Sequence, residues 1–286
     1  MIPYSKQFID NSDIKNVNKV LKGHFITQGP TIENFEKKIA KYVGSKYAVA
    51  VSSCSAGLHL AAIASDLSKG KKILTSPNSF CSTANAAKHC DADVDFVDID
   101  YDTGNLSLDE IKKKISKKKI NVIIPVHFGG LPVDMRSLKK IVFKKKIVII
   151  EDAAHALGSK YQDGSMVGNC KYSDMTVFSF HPVKSITTGE GGVITTNNTK
   201  IYNRLKLLRS HGIEKKSNYI KFKKNVSPWY YEMQSLGFHY RITDIQCALG
   251  LSQLKKVKKF ILKRKKIAIY YDNFFSKFRN CKPLQL

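Results

Sequence analysis

A chain of 286 residues, 43% hydrophobic and 25% charged, has the make-up of a globular protein with one large domain or two ordinary ones. No apolar run reaches the length of a membrane span, and the opening MIPYSKQFIDNSD lacks the basic-then-apolar pattern of a signal peptide, so a cytoplasmic protein without a membrane partner is expected. The formal charge of +25 comes almost wholly from 42 lysines, against six arginines, spread along helical faces; phosphate and base recognition favours arginine, so no nucleic-acid partner is expected either.

In chain order the sequence alternates between two periods. IENFEKKIAKYVG (Ile32 to Gly44) spaces its apolar residues as one helix face and ends in a helix-stopping glycine. YAVAVSS (Tyr47 to Ser53) reads as a short buried strand and AGLHLAAIAS (Ala56 to Ser65) as a helix. KKILTSP is strand-like up to Pro77, STANAAKHC is a small-residue helix and DVDFVDID a strand. SLDEIKKKIS is a helix with Ser107 and Glu110 at capping-box spacing. INVIIPVHF, RSLKKIVFKK and KIVIIEDAA continue as strand, helix and strand, and from about Thr243 the pattern is one long helix. Such alternation predicts an α/β fold, a mostly parallel sheet covered by helices on both faces. Ligands of such sheets sit at the carboxyl ends of the strands, here just after AVAVSS, KIVIIED and TVFSF.

The six cysteines form no C-x-x-C pair, so no metal site is expected, and their apolar settings suit reduced, mostly buried thiols.

Three features near those strand ends carry chemistry. VSSCSAGLHLAA places Ser52 to Gly57 between a strand and a helix, where small residues leave backbone N–H groups open to an anion such as phosphate. KIVIIEDAAHALG ends a buried strand in Glu151 and Asp152, and a carboxylate there is costly to desolvate unless a cation pairs with it. The plain alternative is a solvated loop or a helix cap. His155 follows three residues later. FSFHPVKSITTGEGG (Phe178 to Gly192) then sets Lys184 in a loop five residues after Ser179, outside the lysine-rich runs. A lysine shielded from water has a lowered pKa and becomes a nucleophile able to join an aldehyde. Pyridoxal 5'-phosphate requires such a lysine, a carboxylate at its ring nitrogen and a cradle for its phosphate.

FITQGPTIENFEKKIAKYVGSKYAVAVSS, EDAAHALGS, FSFHPVKSITTGEGG and RITDIQCALGLSQL resemble the DegT/DnrJ/EryC1/StrS sugar aminotransferases, fold-type I enzymes that use pyridoxal phosphate. The resemblance implies that Lys184 is the Schiff-base lysine and that Asp152 keeps the pyridine nitrogen protonated. His155 then stands against the ring, Ser55, Ala56 and Ser179 line the phosphate, and Tyr4 with His24, Phe25, Ile26 and Thr27 matches the region that touches the nucleotide-sugar. His239, in LGFHYRITD, takes the place of a usual asparagine that reaches the neighbouring subunit's cofactor, which implies a homodimer. FHPVKSITTGEGG with PWYYEMQSLGF is similar to members that move an amino group from glutamate to C4 of a UDP-linked 4-keto-6-deoxy-N-acetylhexosamine, on the way to pseudaminic acid. Dehydratases of the same group carry histidine in place of the lysine. The alternatives are another nucleotide-sugar specificity, or a cofactor-binding chain without turnover. The implied organisation is a large cofactor domain over residues 1–250, then a linking helix and the start of a shortened C-terminal domain over 251–286.

Overall fold

The computed structural model describes residues 5–214, 227 and 229–278; Tyr4 lies outside the described residues. Its elements, in order, are α1 (Asn11–Leu21), α2 (Pro30–Val43), β1 (Tyr47–Val51), α3 (Cys54–Ala64), β2 (Lys72–Thr75), α4 (Ser82–Lys88) and β3 (Asp93–Phe96). There follow α5 (Leu108–Lys117), β4 (Val122–Ile123), α6 (Met135–Ile141), β5 (Val148–Asp152), β6 (Met175–Ser179), β7 (Gly192–Thr196), α7 (Thr199–Arg209), β8 (Ile213–Glu214), β9 (Glu232–Met233) and α8 (Asp244–Phe275).

Seven strands form one sheet in the order β1-β7-β6-β5-β4-β2-β3, with β8 and β9 as a separate ribbon. The run from β6 to β3 is parallel, whereas β7 pairs antiparallel with both β6 and β1. Alternate strand residues feed two cores on opposite faces. Ala48, Ala50, Ile149, Phe178 and Val193 join α2 and the first half of α8 in one core. Val49, Val51, Ile150, Val177 and Ile194 join α3 and α7 in the other. The period of two makes both faces apolar, as a sheet covered by helices on each side requires.

The helices start and stop where local chemistry directs. Pro30 sits in the first turn of α2, and Gly44 ends it at φ 82°, a left-handed cap that suits glycine. Thr243 and Gln246 form a reciprocal capping box at the start of α8. At α5 only half of the expected box forms: Ser107 accepts from the Glu110 N–H at 3.3 Å, while the Glu110 carboxylate turns to Lys113 at 2.7 Å. The stretch INVIIPVHF contributes only Val122 and Ile123 to a ladder. Pro125 has no N–H to continue it, although its carbonyl accepts from Asp152 N–H at 2.9 Å. Long α8 runs unbroken across residues 250 and 251, and its first half packs on α1 and α2.

Among the described residues no helix is long and apolar enough to cross a membrane, and no group of three or more His, Cys, Asp or Glu could hold a metal. The described cysteines are free thiols; Cys170 and Cys247 are buried, but Cys81 is exposed and Cys54 and Cys90 are half-buried, so the expectation of mostly buried thiols does not hold. Small helix-start and helix-end positions, not core positions, account for the difference.

Candidate active site

Strands β5 and β6 run parallel and end side by side, with Asp152 opposite Val177 in the ladder. Asp152 is therefore delivered to the carboxyl edge of the sheet two residues before β6 ends at Ser179. It is 4% exposed. Its Oδ2 accepts from Thr83 Oγ1 of α4 at 2.7 Å, and its Oδ1 accepts from the Ala154 N–H at 3.1 Å. Thr83 in turn lies 2.6 Å from Ser79 Oγ. Among the described residues no Lys, Arg or His lies within ion-pair distance of Asp152.

Glu151 faces the other way, as strand alternation demands. It is fully buried and accepts from Tyr161 Oη at 2.6 Å, Thr176 Oγ1 at 2.9 Å and Ser173 Oγ, with His127 Nε2 at 2.7 Å. Burial alone would raise its pKa, but His127 and the hydroxyl donors outweigh burial and hold it below the ordinary value. One of the paired strand-end carboxylates is thus a satisfied core group, and only Asp152 opens onto the edge.

The turn after β6 brings Lys184 back over that edge. Its Nζ is 2.6 Å from His155 Nε2. Desolvation lowers the Lys184 pKa and the Arg264 guanidinium lowers it further, opposed by Cys54 and Asp152. His155 is also lowered, by desolvation and then by Lys184. An uncharged His155 accepts from Lys184 at Nε2 and carries its own proton on Nδ1.

The anion cradle lies beside this group. Gly192, the first residue of β7, pairs with Ser179 at the last rung of β6. A Cβ on Gly192 would come within 2.7 Å of Cys54 N and Ser53 C, so the backbone of α3's first turn lies directly against it. Ser179 and the start of α3 are neighbours through that contact. At α3 the Ser53 hydroxyl accepts from the Ala56 N–H at 3.1 Å, and the Ser53 carbonyl accepts from the Gly57 N–H at 3.0 Å. The N–H groups of Cys54 and Ser55 are the ones this cap leaves over for an anion, with exposed Ser55 supplying a hydroxyl. Ala56 is 7% exposed and spends its N–H on the cap, so it contributes packing here. The Cys54 thiol is held well above its ordinary pKa by desolvation and then by Asp152.

The structure brings Asp152, His155, Lys184, Ser55, Ala56 and Ser179 to one edge. His24, Phe25, Ile26 and Thr27 are exposed and tied elsewhere: Thr27 bridges Thr243, the Ile26 carbonyl accepts from Asp244 N–H at 3.0 Å, and buried Asp244 accepts from Gly29 and Thr31 N–H. His239 is exposed, bridges Ser210 and has its ring 5.4 Å from that of His211. Among the described residues no hydrogen bond or ion pair joins these five to Lys184, Asp152 or His155. Thr83 and Arg264 were not singled out in the sequence. Thr83 lies in a small-residue helix with no marker of its own. Arg264 lies in the charge run LKRKK, where its single arginine was the one available signal.

The site can hold pyridoxal phosphate on the evidence of its own atoms. Among the described residues a nearly buried carboxylate makes no ion pair, a desolvated amine stands beside it, and free N–H groups at a helix start lie next to both.

The model of the DegT/DnrJ/EryC1/StrS aminotransferase family matches residues 7–286. A Campylobacter jejuni UDP-4-amino-4,6-dideoxy-N-acetyl-beta-L-altrosamine transaminase is 42% identical over 279 residues, which cover 97% of this chain and 70% of that protein. Helicobacter pylori PseC, an aminotransferase of pseudaminic acid biosynthesis, superposes with a TM-score of 0.87 at 33% identity, over 97% of this chain and 71% of PseC. Streptococcus pneumoniae Spr1654 in its PLP form superposes at 0.87 with 29% identity, over 97% of this chain and 72% of that one.

Proposed function

This chain belongs to the DegT/DnrJ/EryC1/StrS aminotransferase family, and from that premise we propose that it moves an amino group from glutamate to C4 of a UDP-linked 4-keto-6-deoxy-N-acetylhexosamine, with pyridoxal phosphate as cofactor. The product is UDP-4-amino-4,6-dideoxy-N-acetyl-beta-L-altrosamine, as in the name of the C. jejuni relative. The observation that carries the chemistry is the meeting of Lys184 Nζ with His155 Nε2 at 2.6 Å beside an Asp152 that makes no ion pair among the described residues.

Bound here, pyridoxal phosphate supplies an electron sink for the carbanion formed when the amino donor loses its α proton. Asp152 would pair with the pyridine nitrogen and keep it protonated, and Thr83 holds Asp152 in orientation through its hydroxyl. Lys184, whose pKa desolvation lowers, would be the covalent attachment point. With the cofactor bound, its Nζ would be the group that takes up and gives back the donor's α proton, and it would do the reverse for the keto-sugar half. His155 accepts from Nζ and keeps the amine aimed at the edge. The N–H groups of Cys54 and Ser55, with the Ser55 and Ser179 hydroxyls, would hold the phosphate.

His24 to Thr27 contact the nucleotide-sugar in this reading, and His239 serves the site of a second subunit in a homodimer. Its support is the exposed apolar set on the same segment, Trp229, Tyr231, Met233 and Leu236, each more than half exposed in the single chain.

Borohydride reduction of the purified protein with pyridoxal phosphate, followed by peptide mass mapping, tests the core of the proposal. The expected adduct is on the Lys184 peptide and is lost in Lys184→Ala. Equal labelling of the variant sinks the assignment. Product analysis against several UDP- and dTDP-linked keto-sugars then tests the C4 and UDP specificity.

A further inference from the structure

The loop that carries Lys184 is pinned across its base by its own backbone. The Phe180 carbonyl accepts from the Thr188 N–H at 3.0 Å and from Thr187 Oγ1 at 3.0 Å, and the Lys184 N–H reaches the His181 carbonyl at 2.9 Å. The carbonyls of Val183 and Lys184 itself, at the loop's middle, find their partner elsewhere. Arg264 Nη2, on α8, donates to the Val183 carbonyl at 3.1 Å and to the Lys184 carbonyl at 2.8 Å. These are consecutive carbonyls held by one terminal nitrogen.

We propose that Arg264 is a positioning residue for the reacting amine: it clamps the Lys184 loop to α8 and places a fixed positive charge beside Nζ. Helix α8 is a firm base for such a clamp. One turn before Arg264, Phe260 and Ile261 pack on the core, and further back Lys256 joins Asp10 at 2.8 Å and Asp13 at 2.6 Å. The residue type also fits. Arg264 is the sole arginine of the lysine run LKRKK, and solvation alone would be served by another lysine. A guanidinium holds its donors in a fixed plane, whereas an ammonium's three donors turn about a flexible stem.

The groups that set the charge state of Lys184 come from every element around it. Cys54 of α3 and Asp152 of β5 favour the charged amine; desolvation and Arg264 of α8 disfavour it. His155 faces Nζ from the β5 edge, and Lys6 and Lys263 line the cavity that Lys184 and Arg264 share. Removing the guanidinium therefore removes a cation that lowers the Lys184 pKa, and the amine should titrate higher.

The inference deepens the aminotransferase reading and rests on Lys184 being its reacting amine. Its test runs on the cofactor-free chain, so it succeeds or fails separately from borohydride trapping. Lys184 is acylated with a small anhydride across a pH series, and its peptide is quantified by mass spectrometry against exposed lysines of the same chain. In Arg264→Met the midpoint should rise by about half a pH unit, about threefold slower labelling at a fixed pH below it. Amide exchange over residues 181–186 should quicken. Arg264→Lys should recover the labelling rate, because the charge remains, but only part of the exchange protection. Lys265→Met, which removes a neighbouring charge without touching the loop, should change neither. An Arg264→Met chain with native melting, an unmoved Lys184 midpoint and unchanged exchange overturns the proposal. So does an equal effect from Lys265→Met, which would reduce Arg264 to a diffuse surface charge.

Discussion

Lys184 is distinguished from the other lysines by desolvation, and that has a cost that can be measured. Its folded pKa lies below the ordinary 10.5. Between the folded and ordinary values the unfolded chain binds more protons than the folded one, so this group's contribution to stability rises with pH there. Below the folded value both states are protonated and the burial penalty is present in full. Above 10.5 both are neutral and it is gone. Lys184→Met should therefore raise the melting temperature of the cofactor-free chain at pH 7, and the gain should shrink as pH approaches 10.5. Melting curves of parent and variant across that range check it, and a gain that grows with pH contradicts the assignment. Such a penalty is expected where function, not stability, selects the residue. At this scale the sequence was legible where a residue type breaks its local pattern. Lys184 stands alone in a small-residue loop, and Asp152 ends an apolar strand. Thr83 breaks no pattern, and the single arginine of LKRKK breaks its run too slightly to point anywhere until the fold aims these two at Asp152 and at the Lys184 carbonyls. On local pattern Glu151 and Asp152 read alike and only the family resemblance picks out Asp152; strand alternation sends Glu151 inward to His127 and Tyr161.

Elements assemble the site through one close approach. Antiparallel β7 begins at Gly192, against the backbone of Ser53 and Cys54, and this contact seats the start of α3 beside Ser179. A methyl group at Gly192 meets backbone atoms at 2.7 Å, which cannot rotate away as a side chain can. Gly192→Ala should cost about 1–3 kcal/mol by overpacking. It should also weaken pyridoxal phosphate retention more than Ser53→Ala, which removes only a cap worth about 1 kcal/mol. Denaturant midpoints and cofactor titrations of the two variants compare these effects; a Gly192→Ala chain that retains cofactor like the parent would show that the cradle does not depend on this contact. The strand β7 itself went unread, because Val193 to Thr196 is short and hidden behind GEGG, although its β-branched run is a strand signature. The parallel strands were legible from their apolar runs. The curtailed ladder of INVIIPVHF was not, since what stops it is a proline whose effect depends on which neighbour needs its N–H.

For the molecule as a whole, the lysine excess settles nothing about the site, but the distribution of exposed apolar surface does bear on assembly. Trp229, Tyr231, Met233 and Leu236 lie within ten residues of His239, which among the described residues has no hydrogen bond or ion pair to Lys184, Asp152 or His155. If His239 serves the opposite subunit, the two inactivating changes reside in different halves of each shared site. A Lys184→Ala dimer lacks the amine at both sites, and a His239→Ala dimer lacks the donated ring at both. A mixed dimer of the two holds one site with both defects and one site with neither. Under random exchange half of the dimers are mixed and half of their sites are intact, so about a quarter of parental amino transfer should return on mixing two impaired proteins. Mass measurement of the exchanged dimers verifies the mixing independently of activity. Recovery requires the donated residue to cross the interface, because residues acting within one chain would leave every site of the mixture with one defect. No recovery from verified mixed dimers, or a His239→Ala protein as active as the parent, removes His239 from the shared site.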